Sequence, residues 1–210
     1  MGLNGLTLAV PRGALFGSTL DLLDRLGVDT AEVRANDRKL LFEDAGLVTM
    51  RPSDVPTYVE AGAADLGITG KDVLAEQSER AVYELLDLRL GPCVMVVAST
   101  AGEDRLDEAL RRLGVMRVAT KYPRIAARHF ERTGRQAEIV EVKGSVELAP
   151  LTGLAEGIVD LTATGTTLRE NGLVIREEII PSTARLIANP VSYRVKYAEI
   201  DAVVEKLRAG

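Results

Sequence analysis

Short apolar runs alternate with amphipathic stretches along almost the whole chain, and this alternation constrains the fold more than any other feature. Apolar runs of roughly four to eight residues read as buried strands, and apolar residues recurring every three or four positions read as helices packed on them. Together they specify an α/β architecture. Residues 6–10 form a first strand that Pro11 stops, and Leu15, Leu20, Leu22, Leu23 and Leu26 then recur at helical spacing before Gly27. "LVTMR" (47–51) is a second strand. "PSDVPTYVEAGAADLGITGKDVLAE" reads turn, helix, strand, helix, with Ser53 or Asp54 as the cap. "AVYELLDL" (81–88) is a further strand, and Gly91-Pro92 breaks the chain.

A second set follows. It comprises strand "CVMVVAS", a helix over 104–113, strand "MRVAT", a helix over 124–133, strand "AEIVEV", a short helix from Ser145, strand "IVDLTA", and "VIREEII" before Pro181. "ARLIANP" gives one more strand, and "YAEIDAVVEKLRA" closes with an amphipathic helix. The break at Gly91-Pro92 and the return near Pro181 predict two α/β lobes joined by two crossovers, with an interlobe cleft. The first lobe is discontinuous, 1–91 plus 181–210, and the second spans 92–180.

Composition removes several function classes. A formal net charge of −5 and the absence of Trp argue against a nucleic-acid or anionic-membrane partner. One cysteine, Cys93, excludes an internal disulfide and any CxxC motif, and it reads as a small buried hydrophobe heading a strand. One histidine, His129, excludes an HExxH metal site. It lies mid-helix among arginines, where the spacing gives it no partner. The N-terminus has no basic leader and only a short apolar stretch, which predicts a cytoplasmic protein. With no GxGxxG, no Walker sequence and no nucleophile–base pair, any catalysis must run on positioning and charge.

"DLTATGTTLRENGL" (160–173) places an acid at a strand end, then a hydroxyl-rich loop, then a possible helix start. Two readings stand. Unpaired N–H groups and threonine hydroxyls can cradle an anion, or Thr164 caps a helix and Gly165 relaxes a turn. Asp160 would repel a phosphate and suits ribose hydroxyls or a magnesium-bound water. Cations near strand ends are Arg12, Arg38, Lys39, Arg51 and Lys121, where open α/β sheets bind ligands. "GITGKD" (67–72) and "KGSVELAP" (143–150) are two more small-residue turns, so the ligand carries more than one anionic group.

The blocks "DVPTYVEAGAADLGITGKDVL", "ATKYP", "KGSVELAPLTGLAEGIVDLTATGTTL" and "NPVSYR", in this order, resemble the short form of the ATP phosphoribosyltransferase family. The resemblance implies a fold similar to the type II periplasmic binding proteins. It also implies transfer of the 5-phosphoribosyl group of 5-phosphoribosyl 1-pyrophosphate (PRPP) to N1 of ATP, with Mg2+, as the first step of histidine biosynthesis. By that resemblance Thr162, Ala163, Thr164, Gly165, Thr166 and Thr167 receive the 5-phosphate of PRPP and Asp160 faces the ribose. Arg38 and Arg51 become the catalytic cations. Arg12, Gly13, Asp65, Leu66, Gly67, Gly70 and Lys121 become ATP or phosphate contacts. The family often carries Lys-Gly-Arg after the first strand, whereas Arg12-Gly13-Ala14 stands here. The chain ends at Gly210, where long forms carry a regulatory domain. The expected partner is therefore a regulatory subunit resembling histidyl-tRNA synthetase, in a hetero-oligomer expected to be a hetero-octamer, with a homodimer when alone. A non-catalytic solute- or effector-binding module of the same fold is the rival reading, and a PRPP transferase acting on another base is a third.

Overall fold

The computed structural model describes residues 3–209; Met1, Gly2 and Gly210, the ends of the first lobe as read from sequence, lie outside the described residues. By internal packing the chain divides into two compact units, Met1–Gly91 with Thr183–Gly210, and Pro92–Ser182.

The first unit begins with β1 (Leu8–Pro11), every residue of which is buried. Leu8 and Val10 face one core and Ala9 the other, as expected for a strand covered on both faces. α1 (Phe16–Arg25) buries Thr19, Leu20 and Leu23 against it. The chain continues through α2 (Ala31–Ala35), β2 (Leu41–Phe42), β3 (Leu47–Met50), α3 (Val55–Glu60), β4 (Leu66–Gly70), α4 (Lys71–Glu76) and β5 (Tyr83–Asp87). Neither α2 nor β2 is visible in the sequence pattern, because five and two residues are too short for periodicity to register. Asp54 is the N-terminal flanking residue of α3, but no side chain caps that helix. Pro56 in its first turn contributes a preset φ instead.

The second unit runs β6 (Cys93–Thr100), α5 (Arg105–Leu113), β7 (Met116–Thr120), α6 (Pro123–Arg132), β8 (Ala137–Glu141), α7 (Leu148–Thr152), β9 (Gly157–Thr162), α8 (Thr166–Glu170) and β10 (Leu173–Ser182). Its sheet order is β10-β6-β9-β7-β8. β7 is parallel to β8 and β9, while β6 is antiparallel to both its neighbours. Val96, Ala98, Ala119, Ile158, Leu168 and Leu173 build the core on one face. Asp104 caps α5 by accepting from the Leu106 N–H, and Gly114 ends that helix at φ +75°.

The chain then returns as β11 (Ala184–Ala188), α9 (Pro190–Val195) and α10 (Tyr197–Ala209). β11 inserts antiparallel between β4 and β5, giving the order β2-β3-β1-β4-β11-β5. Asn189 caps α9 by accepting from Val191 and Ser192, and its Nδ2 donates to the carbonyls of Val59 and Glu60.

Three expectations change. Pro181 and Ser182 belong to the second unit rather than the first, because β10 carries through to pair Pro181 with Val94 and Ser182 with Cys93. Cys93 is half-buried, not buried, with Sγ 3.6 Å from the Ser182 carbonyl. His129 is buried and does have partners: its Nε2 lies 3.1 Å from Glu177 Oε2 and 3.0 Å from Arg135 Nη2.

Candidate active-site residues on the two units

In the second unit the site residues sit at the carboxyl ends of adjacent parallel strands. Thr120 of β7 pairs in register with Val159 of β9, so Lys121 and Asp160 become neighbours, with Nζ 3.7 Å from Oδ2. Asp160 is buried, and its Oδ1 accepts from the Leu161 N–H. Burial pushes its carboxyl pKa above the ordinary value, and the charge of Lys121 opposes that push.

Past β9 the chain turns through Ala163, Thr164 and Gly165 into α8. Gly165 adopts φ +72°, a left-handed conformation that glycine takes without a Cβ clash. Its N–H is spent locally, donating to Thr162 Oγ1 at 2.8 Å. The hydroxyls of Thr164 and Thr166 lie 2.9 Å apart. The N–H groups of Thr164, Thr167 and Leu168 meet no acceptor among the described residues. The loop is therefore both pre-shaped and supplied with spare donors.

In the first unit β1, β3 and β4 are parallel, which brings their carboxyl ends to one edge. Arg12 follows β1 and Arg51 follows β3; the Arg12 N–H bonds the Met50 carbonyl at 2.7 Å. Gly13 beside Arg12 has φ +90°. The Arg12 guanidinium is fully engaged. Nε donates to Thr49 Oγ1, Nη1 to the Asp37 carbonyl and Nη2 to the Lys39 carbonyl. It thus staples the exposed loop that carries Arg38 between those two carbonyls. Arg38 and Arg51 are exposed, and neither guanidinium meets a partner among the described residues. The structure gathers Arg12, Arg38 and Arg51 at one edge, where Arg12 braces the Arg38 loop through neutral oxygens and meets no carboxylate among the described residues.

Three of the expected nucleotide contacts lie away from that edge. Asp65 precedes β4 and so lies at the opposite edge, where Lys196, Ser192 Oγ and the Thr7 N–H all donate to its carboxylate. Leu66 and Gly67 are interior strand residues, not part of a turn, and Leu66 packs in the core. A Cβ on Gly67 would stand 2.6 Å from Val55 Cγ1, so this glycine admits α3 against the sheet. Only Gly70 reaches the carboxyl edge. Arg169, which holds the Thr loop from α8, is a contact the sequence reading missed; an arginine one helical turn beyond the loop was its only signal.

The family model for ATP phosphoribosyltransferase (HisG) matches residues 51–209. The chain is 54% identical over 201 residues to an ATP phosphoribosyltransferase of Rubrobacter xylanophilus, covering 94% of this chain and 93% of that protein. The chain belongs to the ATP phosphoribosyltransferase family. A second family member, from a Geobacillus species, is 48% identical over 206 residues, covering 96% of this chain and 97% of its own. Among solved structures, a chain of the ATP phosphoribosyl transferase (HisG:HisZ) complex from Thermotoga maritima superposes with a TM-score of 0.81 at 36% identity, covering 97% of both chains. The periplasmic VFT2 domain of Bordetella pertussis BvgS matches with a TM-score of 0.61 at 16% identity, over 97% of this chain and 86% of that one. That second likeness concerns the fold alone, which is of the periplasmic-binding-protein type.

Proposed function

We propose that this chain transfers the 5-phosphoribosyl group of PRPP to N1 of ATP, releasing pyrophosphate, as the first step of histidine biosynthesis. The observation that carries the reading is near full-length identity to proteins of that name, joined to a pre-shaped Thr-Gly loop directly after a buried acid.

In this reading the loop from Thr162 to Thr167 takes the 5-phosphate of PRPP, through the spare N–H groups of Thr164 and Thr167 and the threonine hydroxyls. Each charge-assisted hydrogen bond there contributes roughly 1.5–3 kcal/mol. Asp160 accepts from the ribose hydroxyls, and the charge of Lys121 opposes the burial that raises its pKa. Adenine N1 brings its own lone pair, so no activating base is required. The barrier lies in separating charge at the anomeric carbon, where pyrophosphate departs with growing negative charge. Arg38 and Arg51 carry unpaired guanidinium groups whose charge suits that of the leaving group.

Among the described residues no group of three ligating side chains is available to cage a metal ion. The donor set fits a magnesium ion held chiefly by substrate oxygens, with Asp160 as the carboxylate within reach. When bound, such an ion would supply positive charge against the leaving pyrophosphate. Further parts of the proposal are a regulatory partner like that in the Thermotoga complex and a cytoplasmic location; no helix among the described residues is long and apolar enough to cross a membrane.

Mixing the chain with ATP, PRPP and magnesium, with and without the regulatory subunit, and measuring pyrophosphate tests the reading. Release that depends on ATP supports it. No release under either condition favours the solute-binding module, and release with another base in place of ATP favours a different transferase.

A further inference from the structure

We infer that Arg169 is a positioning residue that orders the hydroxyls of the phosphate loop, so that Thr164 Oγ1 presents its hydrogen to the 5-phosphate of PRPP. The inference rests on the loop being the phosphate seat. A guanidinium has donors only. Arg169 Nη1 donates to the Thr164 carbonyl at 2.8 Å, and Nη2 donates to Thr166 Oγ1 at 3.0 Å. Thr166 Oγ1 is thereby an acceptor on one side, and it lies 2.9 Å from Thr164 Oγ1 in a pair where either hydroxyl can donate. The Thr166 N–H adds a long contact of 3.4 Å to the same Thr164 oxygen. With Thr166 as the donor, Thr164 Oγ1 receives both and keeps its single hydrogen unspent.

The reverse order, with Thr164 donating to Thr166, would spend the Thr164 hydrogen inside the loop and leave that of Thr166 free. A hydroxyl that accepts from a cation is polarised into a better donor, so the chain runs from Arg169 through Thr166 to Thr164. Gly165 completes the device. Its N–H is occupied by Thr162 Oγ1, and a Cβ at that position would stand 2.9 Å from Arg169 Nη1. The bare glycine lets the guanidinium lie across the loop. Arg169 has no carboxylate partner among the described residues, and the bonds given for its side chain go to Thr164 and Thr166 of the loop.

The test measures PRPP and ATP binding separately, with magnesium, on the purified full chain and on Arg169→Ala, Arg169→Lys, Thr164→Val and the Arg169→Ala/Thr164→Val double variant. Arg169→Ala should weaken PRPP by about tenfold or more and leave ATP unchanged. Arg169→Lys, which keeps the charge but loses the fork, should recover only part of that loss. The double variant should bind PRPP no worse than Thr164→Val alone, because Arg169 acts through that hydroxyl. Losses that multiply in the double variant would mean that Arg169 touches the ligand directly, and would overturn the proposal. So would an equal loss of ATP, full rescue by lysine, or no effect of Arg169→Ala on PRPP while Thr164→Val weakens it. If Thr164→Val itself left PRPP binding intact, that hydroxyl would not touch the phosphate and this inference would fall, while the parent reading, which also rests on the backbone N–H groups, would stand.

Discussion

Lys121 and Asp160 stand 3.7 Å apart at the ends of two adjacent parallel strands, one exposed and the other buried. Burial raises the Asp160 pKa above 3.8 despite the lysine, so the ionised carboxylate is a cost to the folded state at neutral pH. A raised folded pKa contributes stability below the unfolded value and loses it as pH rises through the folded one. Asp160→Asn should therefore melt no lower than the parent at neutral pH, and the difference should shrink as pH is lowered toward 3.8. Catalysis should move the other way, with kcat/KM for PRPP falling by about tenfold or more as a charged acceptor becomes neutral. Thermal melts across pH, set beside steady-state kinetics, check both; an asparagine variant that is less stable and fully active would refute the assignment.

Arg12 holds the Arg38 loop through two carbonyls and a threonine, so its catalytic effect should pass through Arg38. Arg12→Ala should lower turnover by about tenfold, and Arg12→Lys should not restore it, because an ammonium lacks the planar fork that serves three acceptors at once. The double variant Arg12→Ala/Arg38→Ala should be no slower than Arg38→Ala alone. Multiplying losses would return Arg12 to the role of an independent anion contact.

The strands were legible because runs such as "CVMVVAS" and "IVDLTA" are apolar on both faces, and burial on both faces leaves no other pattern. α2, β2 and α9, of five, two and six residues, left no mark in the pattern. The Thr-Gly loop stood out through its residue types. Its internal wiring did not, because the Gly165 N–H could have gone to a ligand as readily as to Thr162. The setting of Asp65 was not legible, because its donors Ser192 and Lys196 lie 127 and 131 residues along the chain. His129 has its partner Glu177 on a strand 48 residues away, a separation that helix spacing cannot report.

His129 makes the second unit sensitive to mild acid. Burial lowers its pKa below 6.5, Arg135 and Arg132 add to that, and Glu177 opposes it; the Nδ1 atom is buried without a partner among the described residues. The unfolded chain takes up a proton near 6.5 while the fold resists, so this contribution is complete above 6.5 and is lost as pH falls through the folded value. Glu177, whose pKa Arg135 holds below 4.5, adds a loss of the same sign at lower pH. The denaturation midpoint should drop between about pH 7.5 and about pH 5.5, and His129→Gln should flatten that window while keeping the drop at lower pH. A midpoint just as steep in the glutamine variant would assign the sensitivity to other groups.

Asp65 supplies the contrasting case to Asp160: its partners, with Lys196 at 2.9 Å, outweigh burial, whereas Lys121 at 3.7 Å from Asp160 does not. Burial works to raise its pKa, but hydrogen bonds from Ser192, Lys196 and the Thr7 N–H outweigh this and hold it below 3.8. Stability from this group is thus present above 3.8 and lost below its folded pKa. The carboxylate ties α9 and the start of α10 to the amino edge of the first sheet, away from Arg12 and Arg51. Removing it strands three donors, two of them side chains with partial access to water, so Asp65→Ala should cost about 2 kcal/mol of folding free energy. KM for ATP and KM for PRPP should stay at parental values at temperatures where the variant is folded. A selective rise in KM for ATP with unchanged stability would put Asp65 back among the nucleotide contacts, and would require the amino edge of this sheet to reach the substrate.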